Sequence, residues 1–308
     1  MNEQIHKWIY ATRPHTLGAS VAPMLLLLGA VVNDGVMQWG YFLLCLLVAV
    51  SAQISSNFAN DYFGYKSGED TDHRLGFTRL LSTGEVTPRQ MLIALGISLF
   101  ICAGSGLYLA SQRGWWLLLV GAVVILCAIA YSAGKYSLAR TALGDLAVVI
   151  FYGLVPILVS YYVIADARPQ VYLLLLALGI GLWETNILVC NNYRDYEEDL
   201  ESHKLTLIVR MGKRSGPLLY LINAVLSLLL IVIGLITEGS WLGAIIIGLL
   251  GAALYANGVM AIYRLRGKSL NKLLRYTNIT TLIMGVVTML ILLPVSYTHL
   301  TLPTIYSV

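Results

Sequence analysis

Nine mainly apolar stretches alternate with short polar segments along the chain, centred on Met24, Leu47, Ser98, Val123, Leu154, Leu176, Leu228, Gly248 and Met284. A helix needs about 20 such residues to cross a hydrocarbon core. The pattern therefore predicts an all-α, polytopic membrane protein with about nine transmembrane helices. Nine spans take up most of the sequence, so residues 1–297 read as one transmembrane domain, and the tail 298–308 is assigned no role.

Composition agrees with the pattern. Of 308 residues, 58% are hydrophobic and 12% charged, with a mean hydropathy of +0.76, which excludes an ordinary water-soluble globular domain. The first apolar run follows an amphipathic start, MNEQIHKWIYATRPHT, that lacks a small-residue cleavage site, so the first span is expected to be retained. Cys45, Cys102, Cys127 and Cys190 fall in apolar runs, and the five histidines are scattered; neither set has the spacing of a disulfide framework or a zinc site.

Nine crossings put alternate connecting segments on alternate sides. Eighteen of the twenty Lys and Arg residues then lie on the side of the N-terminus, and only Arg113 and Arg168 lie opposite. By the positive-inside rule the N-terminus and the long connections are expected in the cytoplasm, within a cytoplasmic (inner) membrane. The net charge of +4 is accounted for by this bias and calls for no nucleic-acid partner. The opposite connections, such as NDGVMQ and ADARPQ, are short, so chemistry is expected on the basic side.

Two polar clusters end membrane helices there. The second span finishes in SSNFANDYFGYK, where Asn57, Asn60 and Asp61 lie one helical turn apart. The sixth finishes in NNYRDYEEDLESHK, where Asn192, Asp195 and Asp199 recur at three- and four-residue spacing. Carboxylates stacked at a membrane boundary oppose each other and their own desolvation. A divalent cation, specifically Mg2+, offsets both, because it takes one or two carboxylates and completes its shell with water and phosphate oxygens. The basic residues nearby, Lys66, Arg79, Lys135, Arg194 and Lys204 among them, suit the outer oxygens of a diphosphate. Glu184, mid-span in GLWETN, is a functional candidate by its position alone and is expected to hydrogen bond inside the bundle.

These clusters, together with ATRPHTL (11–17), NFANDYFGYKSGEDT (57–71), YSAGKYSLARTALGDLAVVIFYGLVPILVSYYV (131–163) and NNYRDYEEDLESHKLTLIVRMG (191–212), resemble the UbiA superfamily of membrane prenyltransferases, in its branch acting on 1,4-dihydroxy-2-naphthoate. The resemblance implies a helical bundle around a central cavity, with both acidic motifs at its cytoplasmic end. It implies transfer of a polyprenyl group from polyprenyl diphosphate to dihydroxynaphthoate, with loss of CO2 and diphosphate, on the way to menaquinone. On that basis Asn60, Asp61, Asp70, Asp195 and Asp199 would hold metal, and Lys66, Arg79, Lys135, Arg194 and Lys204 would neutralise the departing diphosphate. Tyr131 and Tyr152 would flank the allylic cation, Arg13 would pair with the acceptor carboxylate, and Glu184 and Asn192 would line the cavity.

One position departs from the resemblance. Four residues after Asn60 the family pattern has a second aspartate, and here stands Gly64. Neighbouring acids such as Asp61, Glu69 or Asp70 would have to replace it, or the first cluster is disabled. Three other readings stay open: a different aromatic acceptor, a non-catalytic prenyl-binding relative, and a transporter, which would need a path open on both faces.

Overall fold

The structure, a computed structural model, describes residues 3–68, 75–76, 79–134 and 137–293. A short helix α1 (Glu3–Ala11) precedes the bundle, whose long helices are α2 (Pro14–Asn33), α3 (Trp39–Lys66), α4 (Pro88–Arg113) and α5 (Leu117–Ala130). The next crossing is composite: α6 (Leu143–Val149), a π-helical stretch Ile150–Val159 and α7 (Ser160–Ala165). Helix α8 (Val171–Arg194) runs into two short helices, α9 (Tyr196–Glu201) and α10 (Leu207–Met211), and α11 (Ser215–Glu238), α12 (Trp241–Arg264) and α13 (Leu270–Leu292) complete the chain. Eight helical segments among the described residues are long and apolar enough to cross a membrane. The ninth expected span, around Val123, is the 14-residue α5, shorter because Gly114 stops α4 and the turn through Trp115 and Trp116 consumes the start of the apolar run.

Local sequence accounts for the boundaries. Thr87 and Gln90 form a reciprocal capping box at the start of α4 with Pro88 in the first turn, a pairing that stabilises the helix start by about 1 kcal/mol. In the composite crossing Pro156 cannot donate its ladder hydrogen bond, and the wider π turn accommodates it. That crossing packs closely on α8 because both sides are bare at the contact: a Cβ on Gly181 would stand 2.9 Å from the Val149 carbonyl oxygen, and one on Gly153 would run into the Ala177 carbonyl.

Helix α8 is the bundle's centre, packed against α11, α13 and the π segment, while α2 lies on α13 and α3 on α4. Trp183 of α8, fully buried, stacks on Tyr255 with ring centroids 3.5 Å apart and donates to the Thr277 carbonyl at 3.3 Å. Large apolar side chains face outward instead, among them Phe100, Leu119, Leu242 and Leu249, each more than 70% exposed. In water that surface would be unstable, and in lipid it is the natural exterior. The chain is therefore a multi-pass membrane protein.

The two ends of the bundle differ. At the end away from the N-terminus, polar groups satisfy each other: Asp34 accepts from Tyr161 at 2.7 Å and Tyr172 at 3.2 Å, Asn33 donates to Glu238 at 3.1 Å, and Arg113 pairs with Asp166 at 3.2 Å. The end nearer the N-terminus opens into a cavity.

Candidate active site

That cavity, of about 700 Å³, is apolar below and polar at its mouth. Val48, Ala49, Phe151, Val155 and Ile187 line the lower part, and Asn60, Arg79, Arg194, Asp195, Asp199 and Lys204 line the mouth. Arg13, Tyr131, Tyr152, Glu184 and Asn192 line it too. Most of the residues singled out from the sequence thus converge on one space. Asp70, Lys135 and the tail 298–308 lie outside the described residues.

Two expected members stand apart. Lys66 is exposed at the end of α3 and does not line the cavity. Asp61, 2% exposed, also lies outside the lining: its carboxylate accepts from the Arg13 guanidinium and pairs with Arg79, Nε to Oδ1 3.5 Å. The helical turn that brings Asn57 and Asn60 to the cavity turns Asp61 toward the chain entering α2, where its carboxylate pairs with two arginines. Arg13 is placed for this by an uncommon backbone, left-handed at φ 55° and ψ 64° just ahead of Pro14, which costs about 1–3 kcal/mol and persists only where surroundings enforce it.

Arg79 comes from the connection after α3 and is 7% exposed. Leu80 and Leu81 next to it are buried with Phe58, Met91 and Leu95, anchoring that connection over α3 and α4. The guanidinium donates to Asn60 and lies directly against Gly64. A Cβ at Gly64 would stand 2.7 Å from the arginine Cζ and 3.1 Å from Nη2, with Nη1 closer still. The missing side chain at position 64 is filled by an arginine.

At the end of α8 the arrangement differs. Arg194 forks onto Asp195, both bonds at 2.6 Å, and its third nitrogen donates to Asn271 at 2.6 Å. Asn271 in turn donates to the Leu75 carbonyl at 3.0 Å, tying α13 to the connection that carries Arg79. One turn on, where the break at Asp195 starts α9, Lys204 pairs with Asp199 at 2.9 Å. Burial pushes the Asp199 carboxyl up to about 6, against the opposing pull of Lys204 and with help from the neighbouring Asp195 charge. Asp195 keeps 23% of its side chain exposed.

Deeper in, Glu184 is 2% exposed and sits beside the Thr281 hydroxyl, with no ion-pair partner among the described residues. Two groups escaped sequence reasoning, one in the lining and one behind it. Arg140 lines the space while donating to the Ser202 carbonyl at 2.9 Å. Asn271 acts through Arg194. Arg140 was visible only as one basic residue among many, and nothing in the sequence around Asn271 marks it.

Among the described residues no three His, Cys, Asp or Glu side chains come together as a ready metal cage. Mg2+ needs less: one or two carboxylates, with water and phosphate oxygens for the rest. Asp195 and Asp199, beside the Asn191 and Asn192 amides in the lining, fit that demand with oxygen donors alone. At the α3 end the described carboxylate, Asp61, is paired with two arginines, and Asp70 lies outside the described residues.

A helical membrane bundle with an apolar cavity, guarded by carboxylates and fixed cations, defines a class of protein that handles a lipid bearing a charged head. The chain belongs to the UbiA prenyltransferase family, whose family model matches residues 20–279. It is similar to the 1,4-dihydroxy-2-naphthoate octaprenyltransferase of Mycobacterium tuberculosis, 36% identical over 280 residues covering 90% of this chain and 93% of that one. The enzyme of the same name from Mycobacterium leprae is 37% identical over 214 residues, 70% of this chain and 72% of the relative. Among solved structures it shares the fold of a UbiA homolog from Archaeoglobus fulgidus bound to DMAPP and Mg2+, with a TM-score of 0.64 and 13% identity across 92% of this chain and 99% of the other.

Proposed function

We propose that the protein transfers a polyprenyl group from its diphosphate to 1,4-dihydroxy-2-naphthoate, releasing CO2 and diphosphate and giving the prenylated precursor of menaquinone. The observation that carries the reading is the convergence of Asp195, Asp199, Arg194, Lys204 and Arg79 at the mouth of one apolar cavity. The relatives named for this activity, alike over most of the chain, support the choice of acceptor.

The division of labour follows from the lining. The isoprenoid tail lies against Val48, Phe151, Val155 and Ile187, which replace water around it. Asp195 and Asp199 would hold Mg2+, which would supply charge neutralisation for the leaving group. Arg194 and Lys204 turn their donors toward phosphate oxygens, and Arg79 offers its fork beside them. Each charge-assisted hydrogen bond of this kind is worth about 1.5–3 kcal/mol, and more as charge develops in a site that excludes water.

Ionisation breaks the allylic C–O bond, with the electron pair leaving on diphosphate. Tyr131 and Tyr152 present aromatic rings to the cavity in which the cation forms. The naphthoate ring supplies the pair for the new C–C bond at the carbon bearing the carboxylate. Departure of CO2 returns the pair of the broken bond to the ring, so no proton is removed from that carbon. Asp61 acts at one remove, fixing Arg13 and Arg79. The positive-inside bias puts the mouth and the N-terminus in the cytoplasm and the bundle in the cytoplasmic membrane.

The test is the purified protein in detergent with radiolabelled polyprenyl diphosphate and either 1,4-dihydroxy-2-naphthoate or 4-hydroxybenzoate. Prenylated naphthol with release of CO2 is expected. Transfer to 4-hydroxybenzoate alone would refute the acceptor assignment, and no transfer to either would refute the reading.

A further inference from the structure

The charged residues of the cavity gather at its mouth, and Glu184 does not. It lines the same space from α8, eleven residues ahead of Asp195, which puts it about 16 Å along the helix axis below that carboxylate. Beside it lie the Thr281 hydroxyl and the rings of Tyr152 and Tyr255, and no cation pairs with it among the described residues. Gln53, which lines the cavity at the equivalent depth on α3, has its amide taken by Ser20 and the Thr16 carbonyl. A carboxyl held inside a membrane span is costly, and a fold retains one where a ligand uses it.

The two substrates differ at that depth. An isoprenoid tail has no polar atom to offer, whereas dihydroxynaphthoate carries a carboxylate and two ring hydroxyls. With the carboxylate drawn to the Arg13 guanidinium at the mouth, the hydroxyl next to it is satisfied by the carboxylate itself, through a six-membered hydrogen-bonded ring. The 4-hydroxyl, across the ring, has no internal partner. A metal ion, a phosphate and the acceptor ring laid end to end reach from Asp195 to about the depth of Glu184.

We propose that Glu184 determines acceptor specificity: a carboxyl oxygen accepts a hydrogen bond from the 4-hydroxyl of the naphthoate and so fixes which ring carbon faces the allylic carbon. This rests on the function proposed above. The contact orients the ring, and no proton or electron pair passes through Glu184. A site built around a hydroxyl discriminates strongly against an analogue that lacks it, because the site's own polar group is then left unpaired.

The test removes one partner at a time. The full chain in detergent is given radiolabelled polyprenyl diphosphate with either 1,4-dihydroxy-2-naphthoate or 1-hydroxy-2-naphthoate, beside its Glu184→Leu and Glu184→Gln variants. The hydroxyl removed is meta to the carbon that forms the new bond, so the reactivity of that carbon changes little. The unaltered chain should favour the dihydroxy acceptor by about 10²-fold or more in kcat/KM. In Glu184→Leu that preference should fall below about threefold, through loss of rate with the dihydroxy acceptor, and Glu184→Gln, which keeps an acceptor oxygen, should retain most of it. A leucine variant that keeps the full preference, or an unaltered chain that shows none, would overturn the proposal. So would a folded leucine variant that transfers to neither acceptor, since it would place Glu184 in the chemistry itself. Should the leucine protein not fold, Glu184→Met, which keeps the length of the side chain, is read in the same way. No transfer to either acceptor by the unaltered chain would instead overturn the underlying function.

Discussion

The C-terminal ends of α3 and α8 share a spacing of polar residues and differ in how many carboxylates they place at the cavity mouth. On α3 the Asn and Asp side chains have partners: Asp61 holds two arginines, Asn57 donates to the Thr12 carbonyl at 2.9 Å, and Asn60 accepts from Arg79. The match extends two turns deeper, where Gln53, the counterpart of Glu184, accepts from Ser20 and donates to the Thr16 carbonyl at 2.7 Å. On α8 the acids are poised rather than satisfied. Asp195 and Asp199 lean on cations that belong equally to a phosphate, and the buried Glu184 has no ion-pair partner among the described residues. Unsatisfied buried polar groups cost stability, and a fold retains them where a ligand completes them. The α3 half is built to hold a cation in place; the α8 half is built to receive one.

The largest effect should come from the receiving side. Asp195→Asn together with Asp199→Asn should lower metal-dependent prenyl transfer by more than about 10³-fold while leaving membrane insertion unchanged, as read by radiolabel transfer and by the yield of folded protein from membranes. A smaller loss, about 10²-fold in kcat, is expected for Arg79→Lys, which keeps the charge and loses the fork that spans Asn60 and the phosphate. If lysine served as well as arginine, the holding side would be a point charge and the contrast between the two ends would weaken.

Acidification sharpens the comparison further. Only the ionised carboxylate binds metal, and Asp199 is held up to about 6 by burial. The Kd for Mn2+ should therefore stay flat above pH 6 and rise about tenfold per unit below it, whereas an ordinary carboxylate would stay ionised to about pH 4. Saturating metal should move the midpoint lower, since the bound cation favours the ionised form. A Kd independent of pH between 5 and 7 would remove Asp199 from the ligand set. The smallest effect concerns the deep pair. Gln53→Leu should destabilise the protein by about 1–3 kcal/mol, since it orphans its partners. Glu184→Leu at the equivalent depth should be neutral or stabilising, because it removes a buried carboxyl that has no ion-pair partner among the described residues; thermal unfolding in detergent distinguishes them.

Much of this was legible in the sequence. Apolar runs mark the eight membrane-length segments and the shorter α5, and the turn-by-turn spacing from Asn192 through Asp195 to Asp199 marks the receiving end. What escaped depends on contacts between distant segments. Gly64 reads as a loss until Arg79, fifteen positions on, folds back over it. Asp61 reads as a ligand until Arg13 arrives from the start of α2, and Lys66 reads as a phosphate group until the last turn of α3 carries it outward. The polarity and spacing of a residue are local properties; which cation reaches it is a property of the packed bundle.

The most direct measurement is initial-rate prenyl transfer to 1,4-dihydroxy-2-naphthoate by the purified protein as a function of free Mg2+, with the Asp195→Asn, Asp199→Asn variant alongside. The account predicts no turnover without divalent ion, a rise with Mg2+, and no recovery in the variant at any concentration. Full turnover in chelator, or in the variant, would contradict it.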